Sequence, residues 1–234
     1  IGILGETQDG THCEFIAVSE SNVCSKPNHL SFEEAAAFPL TAQTAYSMLI
    51  RRAKIQPGET VFVWGAGSGV GIMAIEIAKV KGCQIITTGS SEEKRTHAKS
   101  IGADLVLDHY NDNVVDQVKE FTAGKGVDVV FEHVGEATWE TSMKILGKGG
   151  RLVTCGATTG PKVNIDVRHL FIKQQTFMGS TMGDLAAFDD CLSLVADGKI
   201  KPVIDRSFPF SAIRDAHDHL ENGNQIGKVI LLPE

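Results

Sequence analysis

The stretch VFVWGAGSGVGIMAIEIAKVKG (61–82) sets four glycines within seven residues: Gly65, Gly67, Gly69 and Gly71. Ahead of them Val61, Phe62, Val63 and Trp64 form an unbroken apolar run, which suits a strand buried on both faces. Behind them Val70, Met73, Ala74, Ile77 and Ala78 recur at i, i+3, i+4, i+7 and i+8, one apolar face of a helix over 70–81. The glycines therefore join a strand to a helix. Either something must come close to the backbone there, or the chain needs only a tight turn. In the first reading backbone N–H groups and the positive end of the helix dipole meet a phosphate. The strict G-x-G-x-x-G spacing fails: from Gly65 and Gly67 the sixth position is Val70, and from Gly67 and Gly69 it is Ile72. The strand–turn–helix context nevertheless favours a nucleotide.

Downstream, strand and helix patterns alternate. CQIITTG, ADLVLDH, GVDVVFEHV, RLVTCGA and QTFMGS read as strands. SEEKRTHAKSIG, NVVDQVKEFTAG, EATWETSMKILGKGG and DVRHLFIKQ read as helices. Such units predict an α/β fold, a doubly wound parallel sheet of about six strands with right-handed crossovers. Upstream, SFEEAAAFPLTAQTAYSMLIRRA (31–53) opens on a capping box, Ser31 with Glu34, and Pro39 breaks that helix or begins a second. The chain ends differ. GTHCEFIAVSESNVCSKP (10–27) reads as β-rich, and 202–234 as strand, helix, strand, the two forming a second lobe around the nucleotide-binding domain.

The end of the second strand bears on the choice of nucleotide. An acid there binds the ribose 2′-hydroxyl of NAD. Here the strand ends in Thr87, Thr88 and Gly89, and Ser90, Ser91, Lys94 and Arg95 follow. Two hydroxyls and two cations suit a 2′-phosphate, hence NADP(H). The competing reading makes Ser90 or Ser91 an N-cap and the cations a solvated helix face, with Glu92 and Glu93 in the first turn.

Composition narrows the partners. Across 234 residues the net charge is -7 and no basic stripe is visible, against nucleic acid. No apolar run has the length of a membrane span, and IGILGETQDG lacks the features of a signal peptide. The five cysteines (Cys13, Cys24, Cys83, Cys155, Cys191) are widely spaced without C-x-x-C, which fits free thiols in the cytoplasm. His12–Cys13 and Cys24 do not make a metal site, since neighbours on a strand face opposite sides. His217 and His219 read as surface residues of a helix. His133 and His109 end strands at the carboxyl edge, where ligands bind in such sheets; each is either a satisfied structural histidine or a cofactor contact. No catalytic acid or base stands out.

The runs DGTHCEFIAV, LSFEEAAAFPLTAQTAY, GETVFVWGAGSGVGIMAIEIAK, SSEEKRTHAKSIGAD, GKGVDVVFEHVG, GKGGRLVTCGATTG, GKIKPVI and GKVIL resemble, in order, the medium-chain dehydrogenase/reductase superfamily of zinc alcohol dehydrogenases and quinone reductases. The resemblance implies an NADP(H)-binding Rossmann domain at 43–179, with 1–42 and 180–234 parts of a GroES-like catalytic domain. It places Gly67, Ser68, Gly69 and Val70 at the pyrophosphate, and Ser90 and Lys94 at the adenosine phosphate. Thr44 and Cys155–Gly156–Ala157 fall near the nicotinamide. The family's barrel lobe, with its Cys and Gly-His-Glu zinc motif, would precede Ile1, so the chain is expected to be a fragment or a truncated form. Leu40 stands where the zinc enzymes carry a cysteine, and leucine cannot ligate a metal.

VFEHVGEATW, GGRLVTCGATTG and DVRHLFIKQQTFMGS resemble the crotonyl-CoA and acryloyl-CoA reductase branch. The implied function is NADPH-dependent hydride transfer to an activated C=C, of an enoyl thioester, enone or quinone, without zinc. The alternatives are a zinc-dependent alcohol dehydrogenase and a non-catalytic, crystallin-like nucleotide-binding module. A small-molecule substrate and a homodimer are expected, the dimer formed through the edge strand QTFMGS.

Overall fold

The structure, a computed structural model, describes residues 3–233. Its helices are α1 (Phe32–Ala37), α2 (Pro39–Tyr46), α3 (Gly69–Val80), α4 (Glu92–Ile101), α5 (Val114–Phe121), α6 (Glu136–Ile145), α7 (Val167–Ile172), α8 (Leu185–Ala196) and α9 (Ile213–Glu221). Its strands are β1 (Thr60–Val63), β2 (Gln84–Gly89), β3 (Leu105–Asp108), β4 (Val127–Glu132), β5 (Leu146–Thr154), β6 (Thr176–Gly179), β7 (Ile204–Pro209) and β8 (Lys228–Leu232). They divide into two compact units, one of Phe38–Lys201 and one drawn from the segments before and after it.

The larger unit holds a six-stranded sheet in the order β3-β2-β1-β4-β5-β6, every pair parallel. This is the expected doubly wound Rossmann sheet. All four residues of β1 are buried, as the apolar run predicts for a strand covered on both faces. Phe62, Ile86, Val130 and Leu152, from four adjacent strands, share one core cluster with Trp64 and Trp139. The strand order reverses between β1 and β4, and the crevice above such a point is where these sheets take ligands. The unit extends beyond the expected 43–179 because α8 buries Ala187, Cys191 and Val195, and its Phe188 stacks on Phe38 at 6.3 Å.

Local signals mostly hold. The Ser31–Glu34 capping box forms in both directions, at 2.8 and 3.1 Å. Pro39 begins a second helix, where its missing N–H costs nothing. That helix runs on into a π-helix, Ser47–Arg52, which the sequence pattern did not announce. GKGG belongs to β5 rather than to the preceding helix: Gly149 takes φ 73° inside that strand. QTFMGS gives β6, at the sheet edge as expected.

The smaller unit confirms the strand, helix, strand reading of its C-terminal part, with β7 and β8 paired in parallel. The β-rich reading of 10–27 is overturned. Among the described residues this stretch has one short 3-10 turn and no strand, and nearly all of it is exposed. Its composition favours extended backbone, but a strand needs a ladder partner. His219 is also not a surface group: its Nε2 lies 2.6 Å from Asp205 Oδ2, and both side chains are 18% exposed.

Candidate functional site

The turn between β1 and α3 uses three of its glycines differently. Gly65 takes φ +67°, a left-handed conformation that side chains resist. A β-carbon on Gly71 would collide with the Gly65 carbonyl oxygen, so this glycine lets the helix close on the turn. A β-carbon on Gly67 would meet the Lys94 side chain first, 2.8 Å from Cδ and 2.9 Å from Cε. The nearest atoms over Gly67 thus belong to a movable side chain. Tight turn, close approach and helix packing are the three tasks of a dinucleotide fingerprint, here at 65, 67 and 71, one residue wider than G-x-G-x-x-G. Ser68 is the N-cap of α3: its Oγ accepts from Gly71 N–H at 3.0 Å and donates to the Gly65 carbonyl at 2.9 Å. Gly69 and Val70 form the first turn of the helix.

Behind this turn stands the end of β4. His133 Nε2 lies 2.9 Å from the Trp64 carbonyl oxygen, which can only accept, so that nitrogen carries the proton. Burial lowers the His133 pKa, keeping the ring neutral. The same nitrogen is 3.5 Å from Ser68 Oγ. Glu132 is fully buried. Its Oε1 accepts from the N–H groups of Val134 and Gly135 at 2.7 and 3.1 Å. Its Oε2 accepts from the hydroxyls of Thr138 and Ser142 at 2.9 and 2.8 Å. Ser142 Oγ in turn accepts from the Trp64 indole N–H at 2.8 Å. One carboxylate thus joins β4, α6 and the residue that opens the glycine turn. Four donors satisfy a charge that would otherwise be costly to bury. Sequence reasoning missed Glu132 because a glutamate at a strand end resembles a solvated charge.

At the end of β2, Ser91 rather than Ser90 caps α4, accepting from Lys94 N–H at 3.3 Å. Ser90 Oγ instead lies 3.4 Å from Lys94 Nζ. Ser90, Lys94 and Gly67 are therefore brought together. Arg95 is turned elsewhere: its Nη1 donates to Asp108 Oδ2 at 2.8 Å and to the Gly89 carbonyl at 3.3 Å. Asp108 ends β3 in register with Gly89. Hydrogen bonds from the Asn111 side chain and the Tyr110 N–H, with the charge of Arg95, hold its carboxyl below the usual range. An acid does stand beside the β2 tip, contributed by the next strand and already neutralised. His109 lines a cavity of about 570 Å³ with Trp64, Gly65, Thr88, Val134 and Thr138. Burial lowers its pKa as well.

The far end of the sheet edge is different. Cys155 and Gly156 line an open depression of about 600 Å³ with Ser47, Arg51 and Arg52 from the π-helix, with Gly179 at the end of β6 and with Ser180–Asp184 after it. Burial, with the nearby Glu132 charge, pushes the Cys155 thiol up to about 11, so it is neutral at physiological pH. A β-carbon on Gly156 would stand 2.9 Å from the His133 carbonyl oxygen, and Ala157 lies against Gly135. Thr44 is outside the depression's lining: it is buried in α2, and its hydroxyl donates to the Leu40 carbonyl at 2.7 Å. Among the described residues no cluster of three His, Cys, Asp or Glu side chains is placed to hold a metal ion, and no helix is long and apolar enough to cross a membrane.

The family model described as zinc-binding dehydrogenase matches residues 69–197, over half the chain. The chain belongs to the zinc-binding dehydrogenase family. Within the medium-chain superfamily, the chain is 33% identical to crotonyl-CoA carboxylase/reductase of Cereibacter sphaeroides, over 97% of the chain and 59% of that relative. A crystal structure of an NAD-dependent alcohol dehydrogenase matches with TM-score 0.94 at 39% identity, over 98% of this chain and 67% of that one. A 2-octenoyl-CoA carboxylase reductase in complex with NADP and 2-octenoyl-CoA matches with TM-score 0.85 at 31% identity, over 91% and 52%. The chain therefore spans under two thirds of the curated relative named.

Proposed function

We propose that the protein is an NADPH-dependent oxidoreductase that reduces an activated C=C, of an enoyl thioester or an enone or quinone, without a catalytic zinc ion. The observation that supports this reading is Gly67: it stands just before the N-cap of α3, and the nearest atoms to a β-carbon there belong to the movable Lys94 side chain. A pyrophosphate is accommodated there once the Lys94 side chain swings aside. The amides of Gly67, Gly69 and Val70 then receive it, with Ser68 holding the turn because its N–H is already given to the Gly65 carbonyl at 3.0 Å, and Ser90 and Lys94 take the 2′-phosphate. His109 edges the adenosine cavity. His133 acts from behind, holding the turn through Trp64. Thr44 and Cys155–Gly156–Ala157 border the nicotinamide, where a neutral Cys155 thiol packs without reacting. A bound nicotinamide dinucleotide supplies the hydride.

Reducing a plain ketone needs something to offset alkoxide charge, which zinc does as a Lewis acid. In an enoyl thioester the charge spreads into a carbonyl that hydrogen-bond donors can hold. Leu40, in place of the family's cysteine, supports the zinc-free course. So does the likeness to crotonyl-CoA and 2-octenoyl-CoA reductases. The NAD-dependent alcohol dehydrogenase likeness favours a second reading, zinc-dependent alcohol oxidation. A cytoplasmic homodimer paired through β6 completes the proposal, because an unpaired strand edge invites a copy of itself. Light scattering at micromolar concentration tests the dimer, and a stable monomer would remove it.

Oxidation of NADPH is the test of function, with crotonyl-CoA and a simple enone as acceptors and a chelator present. Steady turnover that survives the chelator is expected. Turnover abolished by the chelator supports the zinc enzyme, and binding without turnover supports an inert module.

A further inference from the structure

Two cations follow β2, and they are placed differently. Both stems leave from the strand tip: a β-carbon on Gly89 would stand 3.3 Å from Lys94 Cβ and 3.0 Å from Arg95 Cγ. Lys94 turns toward Ser90, its Nζ 3.4 Å from that hydroxyl. Arg95 turns the other way, to Asp108 on β3, where its Nη1 donates at 2.8 Å. The same nitrogen lies 3.3 Å from the carbonyl oxygen of the Gly89–Ser90 peptide. The guanidinium therefore stands beside the Ser90 backbone, and a rotation of a flexible side chain separates its present position from the Ser90–Lys94 side. Among the described residues its Nε and Nη2 are given no acceptor, so it keeps donors suited to an oxyanion.

Asp108 does not depend on this arginine. Its Oδ1 accepts from the N–H groups of Tyr110 and Asn111 at 2.9 and 3.3 Å, and its Oδ2 from Asn111 Nδ2 at 3.0 Å. The Asn111 side chain and the Tyr110 N–H hold its pKa down ahead of the Arg95 charge. The carboxylate is thus fixed and ionised on its own loop, and the flexible partner is the arginine. The pair is partly shielded, with Arg95 26% and Asp108 16% exposed, so the attraction is screened less than at an open surface.

We infer that Asp108 sets the nucleotide preference, as a positioning residue that holds Arg95 away from the 2′-phosphate subsite of Ser90 and Lys94. The inference rests on the proposed use of NADP(H) and deepens it: the subsite works with one cation where the sequence offers two. A pair that only ties α4 to β3 would affect stability and would not discriminate between nucleotides.

The test is calorimetric titration of the chain with NADP+ and with NAD+, which differ only in the 2′-phosphate. Asp108→Asn removes the charge and keeps an oxygen for the Tyr110 and Asn111 amides. It should raise NADP+ affinity about tenfold, as one new charge-assisted contact implies, and leave NAD+ affinity unchanged. Adding Arg95→Gln to Asp108→Asn should abolish the gain. Asp108→Ser, whose hydroxyl can also accept, carries the same expectations should the asparagine variant fail to fold. NADP+ affinity that stays level or falls in the folded variant overturns the inference. A gain shared by NAD+ overturns it, and so does a gain that survives Arg95→Gln, which would come from the lost negative charge alone. A wild type that binds no NADP+ overturns the NADPH reading together with the inference. The inference fails alone only where the wild type binds NADP+, so the two failures are told apart.

Discussion

The two ends of the sheet edge are made of different materials. At the β1–α3 end, the turn is built from backbone, with glycines where a β-carbon would be strained or would clash, and the Lys94 side chain lies over Gly67. Behind them a closed network of Glu132, Ser142, Trp64 and His133 fixes the turn. At the β5–β6 end, the polar groups are side chains on the rim of an open depression, and Arg52 is oriented by a single bond. A backbone-built site is rigid and intolerant of substitution. A side-chain-built site can change its specificity at little cost to the fold. The first suits a cofactor part that never varies, the second a substrate that does.

The largest expected effect lies at the rigid end. Glu132→Ala leaves two backbone N–H groups and the Ser142 hydroxyl without an acceptor, Thr138 keeping the Gly135 carbonyl at 3.2 Å, and should cost about 3 kcal/mol or more in denaturant unfolding. Glu132→Gln, nearly the same shape, should cost clearly less. Equal losses would mean that an amide nitrogen, which only donates, cannot replace a carboxylate oxygen that accepts twice. Next comes Gly71→Ala. The new methyl meets the Gly65 carbonyl oxygen, and overpacking of this kind costs about 1–3 kcal/mol. NADPH affinity should fall with it, since the turn must shift. An unchanged midpoint of unfolding would show that the glycine is not required for packing.

Lys94→Ala is intermediate. It should weaken NADPH by about 1–2 kcal/mol, one charge-assisted bond, and leave NADH nearly unchanged. Equal loss for both cofactors would assign Lys94 to the pyrophosphate. Arg52→Gln should be the mildest, within about 0.5 kcal/mol of wild-type stability, as for an exposed side chain. A larger loss would erase the contrast between the two ends.

A pH effect probes α3 itself. Burial raises the Glu76 carboxyl from its ordinary 4.5 to about 7, opposed by the Lys201 N–H, which it accepts at 2.9 Å, and by the charges of Lys79 and Lys201. The folded state then binds more protons than the unfolded one between these values. Stability should fall as pH rises from about 4.5 to 7, and the loss should persist above it. Glu76→Gln should flatten that slope, measured as unfolding midpoint against pH. An unchanged slope would place the titration elsewhere.

Much of the fold was legible because burial on both faces leaves a continuous apolar run. Val61–Val63 and Val129–Phe131 are wholly buried and were visible as strands for that reason. The glycine turn was legible as a turn, but its spacing was not, since the division of tasks among Gly65, Gly67 and Gly71 depends on what each would touch. Residues 10–27 misled because extended-looking composition cannot supply a pairing partner. Asp108 was hidden because it reaches the β2 tip across the β2–β3 pairing rather than along the chain. The place of Arg52 on the rim of the depression was hidden by its π-helix: a pair of basic residues closing a helix looks like ordinary charge complementing the dipole.

The central claim is that a dinucleotide phosphate sits on the backbone at Gly67. The most direct measurement is a titration of the 15N-labelled chain with NADP+, followed by amide proton–nitrogen correlation spectra. The amides of Gly67, Ser68, Gly69 and Val70 should move together and saturably, with the resonances of Lys94 among those that follow. Saturable binding that leaves these four amides unmoved while shifting others would contradict the account.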